Sequence, residues 1–158
     1  MKQLRGEEPG ALGPWGRLAT LGPVGRIPLA PGTAATLLVG IPTAYCVRLL
    51  PFALGSLLLL VFFGISCHAC EKAEQELGTQ DPGQVVLDEI MGYLVSVLFL
   101  PGGFGPLLGG LVAFRVFDIW KPWPIRLLEK KVRGGVGIVL DDVLAGCYAF
   151  GVTAILCS

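Results

Sequence analysis

Five apolar runs, separated by polar or glycine- and proline-rich breaks, dominate the chain after its first 26 residues. They cover residues 34–50, 51–67, 85–100, 107–117 and 136–156. A helix rises about 1.5 Å per residue and a bilayer core is about 30 Å thick, so most runs approach one crossing, while residues 107–117 are short for it. The pattern predicts an all-α fold, a small polytopic membrane bundle with about four to five hydrophobic segments.

Composition supports the membrane class. Hydrophobic residues make up 53% of the 158 residues and charged residues 15%, with a mean hydropathy of +0.70; ordinary soluble domains have about 25% charged residues. The formal net charge is zero, which argues against a nucleic-acid partner, because such partners require a basic surface. The five cysteines are an odd number and lie mostly in apolar runs, so we do not expect a secreted disulfide framework.

The positively charged residues are confined to two regions. The first 26 residues are rich in glycine and proline, hold four Lys or Arg residues and lack the apolar core of a signal peptide. They predict a mobile basic tail, residues 1–26, before a membrane-embedded domain, residues 27–158. The second basic region lies between Arg115 and Arg133, whereas the turns near Pro51 and at residues 101–106 hold almost no positive charge. The positive-inside rule therefore places both basic regions in the cytoplasm.

Counting crossings from a cytoplasmic N-terminus brings polar residues of five separate stretches to one membrane face. These residues are Thr33, Thr36, Asp81, Asp88, Glu89, Asp118, Lys121, Asp141 and Asp142. Oxygen ligands suit a hard cation such as Mg²⁺, and lysine and arginine side chains bind phosphate. The combination predicts metal-dependent chemistry on a phosphorylated lipid at the cytoplasmic face.

Residue types and positions predict roles within this site. The predicted Mg²⁺ ligands are Asp88, Glu89, Asp141 and Asp142. Asp81 and Asp118 are candidates for the catalytic base or a further metal ligand. Asp142 is predicted to be a catalytic residue as well as a metal ligand. The predicted substrate-binding residues are Thr33, Thr36, Arg115, Lys121 and Arg126. Two alternatives stay open. Thr33 or Thr36 can cap the start of a helix, and Asp141 and Asp142 can have a purely structural role by pairing with an arginine such as Arg115.

Two further features of the sequence bear on the site. Glycines at positions 92, 137 and 146 allow helices to approach closely, which would bring the two acidic pairs together. Three basic residues of the second region are instead predicted to extend toward anionic lipid headgroups, namely Lys130, Lys131 and Arg133.

Other chemistries fit the chain less well. His68 is the single histidine, so lipid phosphatases that need two histidines do not fit, and Cys67 and Cys70 lack the further ligands of a zinc site. The rival from another class is a small membrane transporter or ion-binding channel subunit, which would also place carboxylates in a bundle. A phospholipid phosphotransferase is disfavoured because the Asp-Gly-x-x-Ala-Arg motif of that class is missing.

Four motifs in order resemble the bacterial phosphatidylglycerophosphatase A family. They are Ala-Pro-Gly-Thr (30–33), Asp-Pro-Gly-x-Val-Val-x-Asp-Glu-x-x-Gly (81–92), Phe-Arg-x-Phe-Asp-x-Trp-Lys-Pro-Trp-Pro-Ile (114–125) and Gly-Gly-x-Gly-Ile-x-x-Asp-Asp-x-x-Ala-Gly (134–146). The resemblance implies a multi-pass inner-membrane phosphatase that needs Mg²⁺ and converts phosphatidylglycerophosphate to phosphatidylglycerol on the cytoplasmic side, among membrane lipids. The chain departs from the family pattern at Ala35, where the family usually has a second glycine.

Overall fold

The computed structural model describes residues 12–157, and this part of the chain consists of helices joined by turns, without a strand. The all-α prediction is therefore confirmed. A 3₁₀ turn covers Val24–Arg26, and a π-helical stretch, Thr36–Gly40, joins α2 to α3. The α-helices are α1 (Pro14–Thr20), α2 (Pro31–Ala35), α3 (Ile41–Arg48), α4 (Phe52–Leu77), α5 (Leu87–Val97), α6 (Phe104–Trp120), α7 (Ile125–Lys131) and α8 (Gly134–Leu156).

Helix α5 forms the centre of the bundle. All of its residues except Glu89 and Val95 are buried, because it packs against α4, α6 and α8. Tyr93 is fully buried, and its hydroxyl donates a hydrogen bond of 3.2 Å to the carbonyl of Leu107 in α6. The two acidic residues in the first turn of α5, Asp88 and Glu89, are thereby held inside the bundle.

Two helices of the described range, α4 and α8, have the length and hydropathy of a membrane crossing. Only 17% of the most apolar 18-residue stretch of α4 is buried within the fold. This helix therefore exposes an apolar face instead of lying in the core of the bundle. Helix α5 has 11 residues, about 16 Å, and is too short to cross a bilayer core unaided. The prediction of four to five crossings stays a prediction.

Glycines bring α5 and α8 into close contact, as the sequence predicted for positions 92 and 146. A Cβ atom at Gly92 would overlap the backbone carbonyl of Asp142, and one at Gly146 would overlap the carbonyl of Gly92. Gly137 serves a different contact, because its added Cβ would meet the carbonyl of Val132, just before α8. The contact between α5 and α8 sets the two acidic pairs side by side.

We expect Gly146→Ala to lower the midpoint of thermal unfolding in detergent, because the new methyl group would force α5 and α8 apart. Overpacking of this kind costs about 1–3 kcal/mol. Gly151→Ala is the matched control on the same helix, since an added Cβ there meets no atom within 4 Å. Equal midpoints for the two variants would contradict the close contact.

The predicted tail, residues 1–26, contains ordered structure from Leu12 onward, and residues 1–11 lie outside the described residues. Helix α1 packs against the polar end of α4, where the Gly13 N–H donates a 2.9 Å hydrogen bond to Glu76 Oε2. The Val86 N–H donates a 3.0 Å hydrogen bond to the carbonyl of Ala19. This contact joins α1 to the turn before α5, which carries Asp81.

Candidate active site

A small cavity lies where the turn before α5, the first turn of α5, the end of α6 and the middle of α8 meet. Its volume is about 140 Å³. Carboxylates dominate its lining, with a single lysine. We call it the acidic cavity, and its lining residues are Asp81, Pro82, Gly83, Val85, Asp88, Glu89, Asp118, Lys121, Asp141 and Asp142. All six acidic residues that the sequence assigned to a shared face are therefore brought together.

Three of these carboxylates are almost completely inaccessible to solvent. Asp88 and Asp141 are each 6% exposed, and Asp142 is 4% exposed. Asp142 also interacts electrostatically with Asp88, Asp118 and Asp141. Buried carboxylates at such close quarters repel one another unless a cation or protons neutralise them, which makes the acidic cavity an attractive place for a positive ion.

Lys121 is the cation in the lining of this cavity. It ends α6 in a left-handed conformation with φ of 44°, an uncommon conformation for a residue other than glycine. Its Nζ lies 2.7 Å from Asp141 Oδ2 and 3.1 Å from Glu129 Oε1. Burial lowers the pKa of Lys121, but its bonds and charge interactions with Asp141 and Glu129 outweigh this effect and leave the pKa raised. The ammonium group therefore stays charged at neutral pH.

Arg115 lies beside the cavity and joins two of its carboxylates. Its Nη1 is 2.9 Å from Glu89 Oε1 and 2.8 Å from Asp118 Oδ2. The ion pair with Asp118 lies within α6, while that with Glu89 connects α6 to α5. Arg115 thus holds these two acids in fixed positions instead of pairing with Asp141 or Asp142.

Two carboxylate oxygens, among the residues described, are buried without a hydrogen-bond partner. These atoms are Asp88 Oδ1 and Glu89 Oε2. By contrast, Asp141 has partners for both oxygens, because Oδ2 contacts Lys121 and Oδ1 accepts the Asp142 N–H at 3.1 Å. These two oxygens therefore have unused hydrogen-bonding capacity, and Glu89 Oε2 lies against Gly32 of α2.

The donor set of the acidic cavity suits Mg²⁺. No closed set of three or more acidic, cysteine or histidine ligands is preformed within residues 12–157. Mg²⁺ does not require one, since it is usually held by one or two carboxylates and keeps several waters. A water takes about 30 Å³, so the cavity has room for an ion with part of its hydration shell.

Three predicted substrate-binding residues lie elsewhere. Thr36 is fully buried and donates a 2.9 Å hydrogen bond to the carbonyl of Gly32, while Thr33 lies on the short helix α2. Arg126 is exposed and donates a 3.1 Å hydrogen bond to the carbonyl of Trp120. None of the three belongs to the lining of the acidic cavity. The alternative role for the threonines, helix capping, is also not seen, because α2 begins without a side-chain cap.

Two residues near the site were not predicted from the sequence. Gly32 places the backbone of α2 against Glu89, since a Cβ at this position would overlap the carboxylate. The Ala-Pro-Gly-Thr motif therefore reaches the site through its glycine and not through its threonine. Glu129, the second partner of Lys121, comes from α7. The close approach at Gly32 had a signal in the motif, whereas nothing in the spacing identified Glu129.

A larger cavity adjoins the acidic cavity and shares Asp81 and Asp141 with it. Its volume is about 600 Å³. We call it the outer cavity, and its lining residues are Glu74, Gln80, Asp81, Glu129, Lys130, Val132, Arg133, Gly134, Gly137, Ile138 and Asp141. The outer cavity therefore lies beside the acidic cavity, on the side of α7.

Comparison with known proteins gives consistent matches over most of the chain. The family model described as phosphatidylglycerophosphatase A matches residues 17–157. Phosphatidylglycerophosphatase A of Escherichia coli (strain K12) is 36% identical over 140 residues, 88% of this chain and 81% of that protein. The Haemophilus influenzae protein of the same name is 35% identical over 126 residues, 79% of this chain and 77% of the relative.

A third relative has a different name. A Bacteroides thetaiotaomicron protein provisionally named phosphatidylinositol-3-phosphatase is 37% identical over 138 residues, 83% of this chain and 86% of that protein. No solved structure matches the chain.

Proposed function

The chain belongs to the phosphatidylglycerophosphatase A family and is a phosphatase, and we propose that it uses Mg²⁺ bound in the acidic cavity to hydrolyse the terminal phosphate of phosphatidylglycerophosphate. The product would be phosphatidylglycerol, in phospholipid biosynthesis. The observation that carries this proposal is the group of six carboxylates around one small cavity, with unpartnered oxygens on Asp88 and Glu89. The family match does not favour the alternative of a transporter or channel subunit.

The proposed metal ligands are Asp88, Glu89 and Asp142. Asp88 and Glu89 offer the unpartnered oxygens, and Asp142 faces Asp88 across the contact between α5 and α8. Bound Mg²⁺ would neutralise phosphate oxygens and favour attack by water. Asp141 has a different role in this proposal from the one first predicted, because its oxygens already contact Lys121 and the Asp142 amide. It would position Lys121 against the phosphate.

We assign the catalytic base to Asp81. Asp118 is held by the guanidinium of Arg115, so its carboxylate is already engaged in an ion pair. Asp81 has no ion pair among the described residues and lines both cavities, where water and substrate can meet. Asp81 would take a proton from the attacking water as the new P–O bond forms. The bond to the glycerol oxygen breaks, and the proton returns to that oxygen.

We also propose a multi-pass arrangement in the inner membrane, with the acidic cavity at the cytoplasmic face. The exposed apolar face of α4 and the apolar length of α8 support it, as does the placement of Lys and Arg near the cavity. Helix α6 separates the turn at residues 101–103 from Lys121 by 17 residues, about 25 Å. The two ends of α6 would therefore lie near opposite membrane surfaces.

Single-cysteine labelling tests this orientation. In a background that lacks the five native cysteines, an impermeant thiol reagent added to intact cells should modify Gly102→Cys and spare Lys131→Cys. Gly102 is chosen because an added side chain there meets no atom within 4 Å, while neighbouring Gly103 has a φ of 121°. Labelling of position 131 alone would reverse the proposed orientation.

The substrate proposal is tested by phosphate release from purified protein in detergent micelles. The names of the relatives describe two lipids, and both carry a phosphomonoester beyond a phosphodiester. We expect phosphatidylglycerophosphate to give the highest kcat/KM when compared with phosphatidylinositol 3-phosphate and phosphatidic acid. A higher value for the inositol lipid would replace the proposed substrate, and ion flux without phosphate release would favour the transporter alternative.

A further inference from the structure

Two cations in the outer cavity have no ionic partner among residues 12–157. Lys130 and Arg133 line this cavity, and no carboxylate lies within ion-pair distance of either. Of the four acids in the same lining, Glu129 and Asp141 are paired with Lys121, while Glu74 and Asp81 make no ion pair among the described residues. Lys130 and Arg133 are thus the two cations of this mixed lining that are left to contact an anionic ligand.

We infer that the outer cavity binds the phosphodiester of the lipid headgroup through Lys130 and Arg133, while the terminal phosphate enters the acidic cavity. This inference rests on the proposed function, which requires a substrate with two phosphates separated by a glycerol unit. The larger cavity has a volume of about 600 Å³, within the range of about 300–1,000 Å³ that is common for sites of small ligands. The shared lining at Asp81 and Asp141 allows one headgroup to occupy both cavities.

The position of Arg133 supports this assignment. It immediately precedes α8, the helix that carries Asp141 and Asp142, and its side chain makes no capping hydrogen bond there. Lys130 lies in the last turn of α7, one residue after Glu129. The backbone of both residues is thus placed beside the reaction centre by the elements that form it, and both side chains are exposed. Guanidinium and ammonium groups are suitable donors for a phosphodiester.

Lys131 provides a matched control. It carries the same charge on the same short helix and is exposed, but it is not part of the lining of either cavity. The sequence predicted that Lys130, Lys131 and Arg133 all extend toward lipid headgroups. The inference separates them: Lys130 and Arg133 bind substrate, and Lys131 contributes only general attraction to an anionic surface.

The test compares phosphatidylglycerophosphate with phosphatidic acid, which has a phosphomonoester but no phosphodiester. Arg133→Gln and Lys130→Gln should each raise KM for phosphatidylglycerophosphate about five- to tenfold, with kcat nearly unchanged. For both variants, the kcat/KM for phosphatidic acid should stay within about twofold of that of the unmodified protein. For Lys131→Gln, the kcat/KM for either lipid should stay within the same limit. Equal losses on the two lipids, or an equal effect of Lys131→Gln, would overturn the inference.

Binding of phosphatidylglycerol to the same proteins in neutral detergent micelles gives a readout that does not depend on turnover. This lipid keeps the phosphodiester and lacks the terminal phosphate. Arg133→Gln should weaken its binding and Lys131→Gln should not. If the unmodified protein releases no phosphate from phosphatidylglycerophosphate, the proposed function fails, while the binding comparison still decides the role of the outer cavity. Unchanged binding in Arg133→Gln would overturn that role.

Discussion

Asp142→Asn should reduce phosphate release from phosphatidylglycerophosphate by about 10²–10³-fold. Asp142 is 4% exposed and interacts with Asp88, Asp118 and Asp141, so its negative charge acts at the centre of the acidic cavity. Asparagine keeps the shape of the side chain but removes this charge. A loss of about 3–4 kcal/mol of transition-state stabilisation corresponds to the expected decrease in rate. The measurement is kcat with saturating substrate and Mg²⁺.

The Asp142→Asn protein should remain folded. Removing a charge from a crowded group of buried acids relieves repulsion, so its thermal midpoint in detergent should equal or exceed that of the unmodified protein. Lys131→Gln serves as the activity control, because Lys131 is exposed and lies outside the lining of both cavities. Near-normal turnover of Asp142→Asn with a strong loss in Lys131→Gln would move the function from the acidic cavity to the basic helix.

Lys121→Gln should lower kcat/KM by about 10²-fold, because it removes the cation that lines the acidic cavity. Lys121 Nζ also holds Asp141 and Glu129, at 2.7 and 3.1 Å, so both acids would lose their partner. The thermal midpoint should fall as well, since Asp141 is buried. The measurements are kcat/KM for phosphatidylglycerophosphate and the unfolding midpoint.

Two further variants separate the charge of Lys121 from its effect on folding. Lys121→Arg keeps the positive charge and should recover part of the activity, although its geometry differs from that of an ammonium. Arg126→Gln removes a cation that the sequence assigned to phosphate binding. Because Arg126 is exposed and contacts the Trp120 carbonyl, its loss should change kcat/KM by no more than a few-fold. A larger loss for Arg126→Gln than for Lys121→Gln would contradict the assignment.

The sequence predicted the helical fold and the grouping of the acidic residues for physical reasons that the structure makes clear. Buried carboxylates in apolar runs require neutralisation, and counting helix ends placed Asp88 and Asp142 at the same face. Gly92 and Gly146 also predicted the close contact that brings α5 and α8 together. These features depend on local patterns that can be read along the chain.

Other features depend on contacts that no local pattern specifies. A buried core helix and a membrane-spanning helix have similar apolar sequences, so residues 85–100 did not predict that α5 ends at Val97. The partners of a charged side chain also depend on turns, such as the left-handed conformation at Lys121, which brings that residue to both Asp141 and Glu129. Likewise, the sequence could not show that Lys130 lines the outer cavity whereas Lys131 does not.

The most direct test of the central proposal is the rate of phosphate release by the purified protein after chelation and after Mg²⁺ is added back. Asp88 and Glu89 line a cavity where carboxylates outnumber cations, so a metal ion is needed before a negatively charged phosphate can approach. EDTA should abolish turnover of phosphatidylglycerophosphate, and excess Mg²⁺ should restore it. An undiminished rate in EDTA would contradict a catalytic centre built on Mg²⁺ in the acidic cavity.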